Sequence, residues 1–253
     1  MFKKIIKWLL IAVFWFTLWW IAASYIVRQE LLLPSPLQVF QRLSELIKEK
    51  DFYISTLTSL FRIFSGILIA MILGVVCGIL TAHISLLRAL LSPILTIIKS
   101  TPVASFIILA LVWINRSKLP IFIAMLMVLP IIWTNIEQGI RQIDSKLMEM
   151  AEVYRFSHRK RLLHITIPSV LPYFVAACKA SLGLAWKAGI AAEVLSTPQR
   201  SIGKELFEAK TFMETTELFA WTVTVILLSI FMEKIFFLIL RLMLRKTHMG
   251  GIS

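Results

Sequence analysis

Long apolar runs constrain this chain more than any other feature. Six of them recur along the 253 residues, from Ile5–Val27 near the start to Leu218–Leu240 near the end. A helix needs about 20 apolar residues to cross a bilayer, and lipid offers no hydrogen-bond partner to the backbone. Continuous runs favour helices over a barrel, whose strands alternate polar and apolar residues. The sequence therefore predicts an all-α, polytopic membrane protein with about six transmembrane helices.

The third of these spans is less regular than the others. Pro93 and the run Lys99–Pro102 interrupt it, so we expect a kinked or partly interfacial helix there. In the second span, Gly74 and Gly78 form a small-xxx-small pair that lets another helix approach closely. The six predicted spans are Ile5–Val27, Ile63–His83, Ile84–Ile114, Pro120–Thr134, Pro168–Ala192 and Leu218–Leu240.

A polar segment, Arg28–Ser59, separates the first two spans. Apolar residues recur in it at helical spacing, which predicts a short amphipathic helix that lies outside the membrane core. The apolar face of this surface helix is formed by Val39, Phe40, Leu43, Leu46 and Ile47.

Basic residues outnumber acidic ones, and their distribution bears on partners and topology. The formal net charge is +13, but Lys and Arg are spread over loops and helix ends without an aromatic-basic face. This pattern indicates contact with the lipid bilayer and predicts no nucleic-acid partner. Placing both basic termini in the cytoplasm also puts Arg88 and the loop Glu137–Ile167 there. The outer segments then carry Arg28–Arg62, Arg116, Lys118 and Arg200–Lys210.

The loop before the fifth span has the pattern of two short helices. Asp144 is placed to cap the first helix, on which Glu149, Glu152 and Arg155 share a polar face. The other face of that helix is formed by Leu147, Met150, Ala151 and Tyr154. From the residues alone, such a surface is either a docking site or a solvated loop.

The second short helix of this loop leads into the membrane. Ser157 is placed to cap it, and its wet side carries the basic cluster Arg159–Arg161. The helix runs toward Ile165, and Pro168 suits the first turn of the next span, where its missing N–H costs nothing.

This loop resembles the cytoplasmic motif of permease subunits in binding-protein-dependent ABC importers. That motif reads Glu-Ala-Ala, three residues, Gly, nine residues, then Ile-x-Leu-Pro. The chain departs from it at Met150, at Ile167 and at Arg155, which replaces the Gly that forms the bend between the two coupling helices in the family. The matching positions are Glu149, Ala151, Ile165 and Pro168.

Other parts of the chain resemble one branch of that family, the permeases of the nitrate, sulfonate and taurine type. The similar stretches are LPSPLQVF, SLFRIFSG, KSTPVASFIILALVW, AWKAGIAAEVL and SIGKELFEAKTFMETTELFAW. Together they cover nearly the whole chain. The resemblance implies a single transmembrane permease domain over residues 1–253, with a coupling loop at about 144–168, in the inner membrane of a bacterial cell.

The resemblance also implies the partners and the role of the coupling loop. Two copies of a cytoplasmic ABC ATPase would dock on the loop, a second copy of the chain would complete a central path, and an extracytoplasmic solute-binding protein would deliver a small polar or anionic solute. The chain itself would be a transport subunit without enzymatic activity or cofactor. The residues that the resemblance assigns to ATPase coupling are Glu149, Ala151, Glu152, Arg155, Ser157, Ile165 and Pro168.

Charged residues inside spans are candidates for the translocation path, because an unpaired charge in lipid is costly. Lys187, with Trp186 beside it and Glu193 further along the same run, is a candidate for the path or its gate. The alternative is a structural ion pair or a side chain that reaches the headgroups, and we assign Lys179 and Glu233 to that class.

The sequence contains none of several motifs that are typical of enzymes and metal sites. The chain has no GxxxxGK[ST] phosphate loop, no GxSxG or HExxH arrangement, and no histidine with a second ligand at metal spacing, so we predict neither a catalytic nor a metal site. Two alternatives to the importer permease stay open: a secondary transporter driven by an ion gradient, and a membrane scaffold whose loop recruits a cytoplasmic partner.

Overall fold

Helices form every regular element in the part of the chain that the structure describes. The computed structural model describes residues 2–246, which contain no strand. Five helices are long and apolar enough to cross a membrane, and a bent pair of helices brings the number to six if it counts as one span. The predicted all-α membrane fold is confirmed. The eleven α-helices of these residues are α1 Phe2–Ile21, α2 Pro36–Leu46, α3 Lys50–His83, α4 Ser85–Ser100, α5 Val103–Ala110, α6 Leu119–Arg141, α7 Ser145–Val153, α8 His158–Arg161, α9 Ile167–Ser196, α10 Ile202–Thr211 and α11 Thr215–Lys246.

The Cα atoms group into two units, and the predicted single domain over residues 1–253 stays a prediction. The first unit holds the residues up to Ser59 and the segment Thr197–Leu228. In it, α2 is the expected amphipathic helix: Ser35 caps it in a capping box with Gln38, and Pro36 starts its first turn. The buried face consists of Val39, Leu43 and Leu46, whereas Phe40 and Ile47 of the predicted face are exposed.

Two long-range polar contacts tie the first unit together. The Arg42 guanidinium lies 2.8 Å from the Glu217 carboxylate, and the backbone N–H of Ile202 donates to the buried hydroxyl of Ser59 at 2.9 Å. The second contact satisfies one of the unpaired N–H groups at the start of α10. Both contacts join segments that lie more than a hundred residues apart in the chain.

Helix α3 begins earlier than the sequence predicted. We expected polar surface structure as far as Ser59 and a span from Ile63, but the helix runs without interruption from Lys50. Ser55, Thr56 and Ser59 are buried, and Thr58 donates its hydroxyl to the Ile54 carbonyl. These side chains therefore pack within the helical segment instead of breaking it, which is why their polarity misled the prediction.

The second unit, which holds Leu60–Ser196 and the rest of α11, contains the close packing that the glycine pair predicted. A Cβ on Gly74 would lie 2.8 Å from the Cβ of Ile132, and a Cβ on Gly78 would lie equally close to that of Ile136. Both partners are on α6, so the two glycines let α3 and α6 approach at backbone distance. The prediction that Gly74 and Gly78 admit another helix is confirmed.

The irregular third span is a bent pair of helices. Helices α4 and α5 meet at 104°, and the break lies at Thr101 and Pro102. Pro93, which we also expected to interrupt the span, lies inside α4. Thr101 is extended, as a residue before proline prefers, and this conformation ends the helix.

The fourth, fifth and sixth spans are longer than the sequence indicated. Helix α6 continues seven residues beyond Thr134, to Arg141, so Glu137 lies in a helix and not in the loop that we predicted. Helix α9 extends to Ser196 and α11 begins at Thr215. The backbone hydrogen bonds of these helices continue through polar residues at their ends. Spans predicted from hydropathy alone are therefore shorter than the helices.

Candidate functional site

The first helix of the coupling segment, which we define as Asp144–Pro168, is capped as predicted. The Asp144 carboxylate accepts a hydrogen bond from the backbone N–H of Lys146 at 2.9 Å, and α7 runs from Ser145 to Val153. An aspartate at this position satisfies a free N–H and complements the positive end of the helix. The first short helix of the predicted pair therefore exists where the sequence placed it.

Arg155 makes the turn that ends α7. Its φ angle is 48°, in the left-handed region that favours glycine. Its own N–H donates to the Glu152 carbonyl at 3.0 Å, and the Phe156 N–H donates to the Ala151 carbonyl at 2.8 Å. These two bonds form a Schellman motif, which stops a helix and reverses the chain. The sharp bend is thus present although arginine occupies the position of the motif glycine.

The second short helix runs directly into the membrane helix. The Ser157 hydroxyl accepts from the Lys160 N–H at 3.4 Å, which confirms the predicted cap. After α8, the segment Leu162–Thr166 is a π-helical turn that leads into α9 without a break. Pro168 lies in the first turn of α9, as predicted, but no break separates this helix from the short helix before it. Proline lacks an N–H and crowds the carbonyl four residues earlier, and a wider turn before it accommodates both effects.

Side chains connect the two short helices. The Arg161 guanidinium lies 3.3 Å from the Met148 sulfur, and a groove of about 680 Å³ runs between the helices and the start of α9. The groove is lined by Leu147, Met150, Phe156, Lys160, His164, Ile165, Pro168 and Ser169. Helices α7 and α8 thus form one folded hairpin attached to α9.

The apolar face of α7 is covered only in part. Ala151 is 2% exposed, but Met150 is 40% exposed and Tyr154 72%, and Val153, outside that face, is 79% exposed. Glu149 and Glu152 are also exposed. Apolar and acidic side chains are therefore both exposed on the surface of this helix.

A second polar site joins α4 and α6. The carboxylate of Glu137 accepts from the Thr81 hydroxyl at 2.9 Å, and that hydroxyl accepts from the Trp133 indole N–H at 2.9 Å. The same carboxylate lies 2.8 Å from Nε of Arg88 and 3.3 Å from Nε of Arg141. Glu137 is 8% exposed, whereas the side chains of Arg88 and Arg141 are 51% and 40% exposed, so a buried carboxylate holds two accessible guanidinium groups at the wall of a cleft of about 500 Å³.

Comparison with known proteins identifies the class to which these features belong. A family model described as "Binding-protein-dependent transport system inner membrane component" matches residues 70–248. The chain belongs to this family. It is an ABC importer permease, as the coupling motif predicted.

Related permeases come from the branch that the sequence resembles. The putative aliphatic sulfonates transport permease protein SsuC of Bacillus subtilis is 26% identical over 205 residues, which cover 80% of this chain and 74% of the relative. The bicarbonate transport system permease protein CmpB of Synechococcus elongatus is 30% identical over 189 residues, 70% of this chain and 68% of the relative. The taurine transport system permease protein TauC of Escherichia coli is 23% identical over 224 residues, with 86% and 81% covered.

The permease holds the predicted path residues in different environments. Glu193 is fully buried and lies 3.5 Å from the Arg62 guanidinium, and Trp186 is 1% exposed. Lys187 is exposed on α9. The structure therefore does not bring Lys187 and Glu193 together, and a role for Trp186, Lys187 or Glu193 in the path stays a prediction.

Sequence analysis missed the Glu137 cluster of the permease. We had assigned Glu137 to a loop and had used Arg88 only as an indicator of topology. One signal was available, because Glu137 and Arg141 stand four residues apart, the spacing of a helical ion pair. The hydrogen bond from Thr81, which lies on another helix, could not be predicted from any pattern in the sequence.

Proposed function

We propose that this permease forms the translocation path of an ATP-driven importer and is powered through its coupling segment. Two copies of a cytoplasmic ATPase would dock on α7 and α8 of a homodimer, and a solute-binding protein would deliver the solute at the opposite face. The permease would perform no chemistry on the solute. ATP-driven closure of the ATPases would instead reorient the membrane helices.

The continuous helix from α8 to α9 is the observation that carries this proposal. The chain is helical from His158 to Ser196, with the π-helical turn in between and no loop that could absorb a displacement. The Schellman turn at Arg155 and the contact between Arg161 and Met148 fix α7 to that helix. A force applied to α7 would therefore be transmitted to a membrane span instead of being lost in a flexible linker.

The surface of α7 supports docking over a solvated loop. Val153 and Tyr154 are among the most exposed large apolar residues, and the exposed carboxylates Glu149 and Glu152 are on the same helix. Apolar side chains that remain accessible at a polar hairpin indicate a partner surface. In this proposal Glu149 makes the main polar contact, and the buried Ala151 keeps the hairpin thin where the ATPase approaches.

The relatives support a small anionic solute. Their names specify aliphatic sulfonates, bicarbonate and taurine. Each of these solutes carries a compact oxyanion group, so the branch transports a common chemical class. We extend that class, and not any single solute, to this permease.

The buried carboxylates argue against a carrier driven by an ion gradient. Glu137 and Glu193 are the two buried carboxylates among the described residues, and each forms an ion pair with arginine. A carboxylate that carries protons or sodium across the membrane has to exchange its partner during transport, and an arginine at these distances competes with the ion. A membrane scaffold without transport activity would have no use for the ionic cluster of Glu137 with Arg88 and Arg141 between its helices.

Co-purification with the ATPase tests the proposal. The permease is expressed with a candidate ABC ATPase from the same organism, and the amount of ATPase retained in nanodiscs is compared for the wild type and Glu149→Arg. We expect the charge reversal to reduce the retained ATPase at least about tenfold, because truncating a charged contact at an interface costs about 2 kcal/mol or more.

Glu214→Arg is the matched control for this experiment. Glu214 is exposed, lies outside the coupling segment and forms no ion pair with the described residues. The control should retain the ATPase at the wild-type level. Failure of the wild type to retain any ATPase, or equal losses in both variants, would contradict the proposal.

A further inference from the structure

Helix α4 has one apolar and one polar face. Its outward face is exposed and apolar, with Leu86, Leu90, Ile94 and Ile97 at 67%, 62%, 49% and 58% exposure. The other face carries a row of polar side chains at the spacing of successive helical turns, and this row lines the cleft toward α6: Arg88, Ser92, Thr96 and Lys99. An apolar outer face suits lipid, so the polar row must face an aqueous space.

That space is the α4–α6 cleft, whose volume is about 500 Å³. On the α6 side it is lined by Trp133, Thr134, Glu137, Gln138 and Arg141. Its size is that of small-molecule pockets, which span about 300–1,000 Å³. Polar and ionisable residues inside membrane helices mark solute pathways, because burying them elsewhere is costly.

The cleft has an excess of positive charge. Its lining contains three cations, Arg88, Lys99 and Arg141, and one carboxylate, Glu137, which leaves two net positive charges. Lys99 forms no ion pair with the described residues. A cleft with low-dielectric walls and one sign of charge concentrates ions of the opposite sign.

Glu137 holds the guanidinium groups of two arginines at the wall of the cleft. Both ion pairs involve Nε, and within the described residues the Nη nitrogens of Arg88 and Arg141 make no other ion pair or hydrogen bond. Trp133 and Thr81 orient the carboxylate through two successive hydrogen bonds. Guanidinium groups bind carboxylate and related oxyanions through paired N–H donors. The Nη groups and the Lys99 ammonium are therefore available to a ligand.

We propose that the α4–α6 cleft binds the oxyanion group of the transported solute through Arg88, Arg141 and Lys99. Glu137 is the positioning residue of this site. The inference rests on the proposed transport function and adds to it the residues that recognise the anion. Phosphate of an anionic lipid has the same chemistry, so the test has to separate a solute from a headgroup.

Cysteine reactivity measures the anion preference without knowledge of the natural solute. Thr96→Cys is introduced into a Cys77→Ala, Cys178→Ala background, and the permease is placed in phosphatidylcholine nanodiscs with its partners. The probes are two methanethiosulfonate reagents of similar size, one with an ethylsulfonate and one with an ethyltrimethylammonium group. Ser100→Cys serves as the reference, because it lies on the same helix beside Lys99 but does not line the cleft.

We expect the ratio of sulfonate to ammonium reactivity to be at least about tenfold higher at Thr96→Cys than at Ser100→Cys, as expected for ions concentrated in a charged cleft. Lys99→Glu should remove most of this difference, whereas Lys118→Glu, an exposed position outside the cleft, should preserve it. Equal ratios at the two cysteines, or a preference that survives Lys99→Glu, would overturn the proposal. If the triple variant does not fold, Cys178, which is 0% exposed, is kept and the same ratios are measured with Ser92→Cys, which also lines the cleft.

Protection experiments separate the two sources of oxyanion. Taurine, ethanesulfonate or bicarbonate should slow labelling of Thr96→Cys in phosphatidylcholine alone. Protection only after phosphatidylglycerol is added assigns the cleft to a lipid headgroup and overturns the solute site. An anion preference with no protection by any of the three anions also overturns it, because it indicates surface potential alone.

The test is independent of ATPase docking. Lys99 lies outside the coupling segment, so Lys99→Glu should retain the ATPase at the wild-type level. A permease that shows the anion preference but retains no ATPase would contradict the proposed function and leave the cleft assignment standing. A permease that retains the ATPase but shows no anion preference would contradict the cleft assignment and leave the proposed function standing.

Discussion

Arg155 stores backbone strain at the turn of the coupling segment. An L-residue in the left-handed region is destabilised by about 1–2 kcal/mol. Glycine avoids this strain, but it loses more conformational entropy on folding, which offsets part of the gain. Arg155→Gly should therefore stabilise the turn by about 1 kcal/mol. Hydrogen exchange of the Phe156 amide, which donates to Ala151, should slow by about fivefold if local opening controls it.

Met213 offers a matched control for this prediction. It follows α10 with a φ of 60°, and the backbone N–H of Glu214 donates to the Ala209 carbonyl at 2.8 Å in the same Schellman pattern. Met213→Gly should slow exchange at Glu214 and leave Phe156 unchanged. Faster exchange at Phe156 in Arg155→Gly would show that the arginine side chain, and not the backbone, holds the turn.

Glu205 makes the stability of the first unit depend on pH. Burial raises the pKa of this carboxyl above its ordinary value of 4.5, and the charges of Glu208 and Glu217 add to the increase, against the opposing effects of Ser55 and Lys204. Because the folded state then binds more protons than the unfolded state, stability falls as pH rises from about 4.5 through the raised pKa. At higher pH this loss of stability is complete and constant.

Glu205→Gln tests this linkage, because the amide oxygen can still accept the hydrogen bond from Ser55. The difference in thermal midpoint, variant minus wild type, should increase between pH 4.5 and 8. A difference that is constant over this range would show that folding does not raise the pKa of Glu205, and one that shrinks as pH rises would show that folding lowers this pKa; either result would contradict the prediction.

At the scale of elements, the close packing of α3 against α6 depends on missing side chains. A Cβ on Gly78 would lie 2.8 Å from Ile136 side-chain atoms and 2.9 Å from the Trp133 carbonyl. Neither α6 nor its backbone can shift without disturbing the Glu137 cluster, so Gly78→Ala should destabilise the permease by about 2 kcal/mol through overpacking. The midpoint of detergent-induced unfolding measures the effect.

Gly183→Ala is the comparison for this substitution. A Cβ there would meet only the end of the flexible Glu233 side chain, at 3.0 Å. This variant should unfold close to the wild-type midpoint. Equal midpoints for the two alanine variants would contradict the account of the α3–α6 contact.

The elements that the sequence predicted are those with local signals. Asp144 and Ser157 cap their helices through bonds to residues two or three positions away, and the glycine pair has a fixed spacing. The continuous α8–α9 helix was missed because proline usually marks a helix start, and the π-helical turn that accommodates Pro168 has no sequence signal. The early start of α3 was missed for a similar reason, since Ser55 and Ser59 are paired with distant residues.

At the scale of the whole molecule, the sequence predicted the class of protein better than its site. Hydropathy and the coupling motif led to the correct family, because both are properties of the chain itself. The α4–α6 cleft depends on contacts between Arg88, Glu137 and Thr81 from three different helices, and no local pattern specifies such contacts. Lys187 and Glu193 were chosen as path candidates by their charge and their place in a span, and their role stays a prediction.

Docking of an ATPase on the coupling segment can be tested by crosslinking from Tyr154. Tyr154 is 72% exposed, and its replacement by the photoreactive amino acid p-benzoylphenylalanine preserves an aromatic ring at the end of α7. Tyr53, which is 50% exposed on α3, receives the same replacement as the control. After irradiation of intact cells, covalent adducts are identified by mass spectrometry.

The Tyr154 position should form an adduct with an ABC ATPase that contains a phosphate loop, and the Tyr53 position should form none. An adduct at Tyr154 with only lipid, a second permease or a protein without a phosphate loop would contradict docking on the coupling segment.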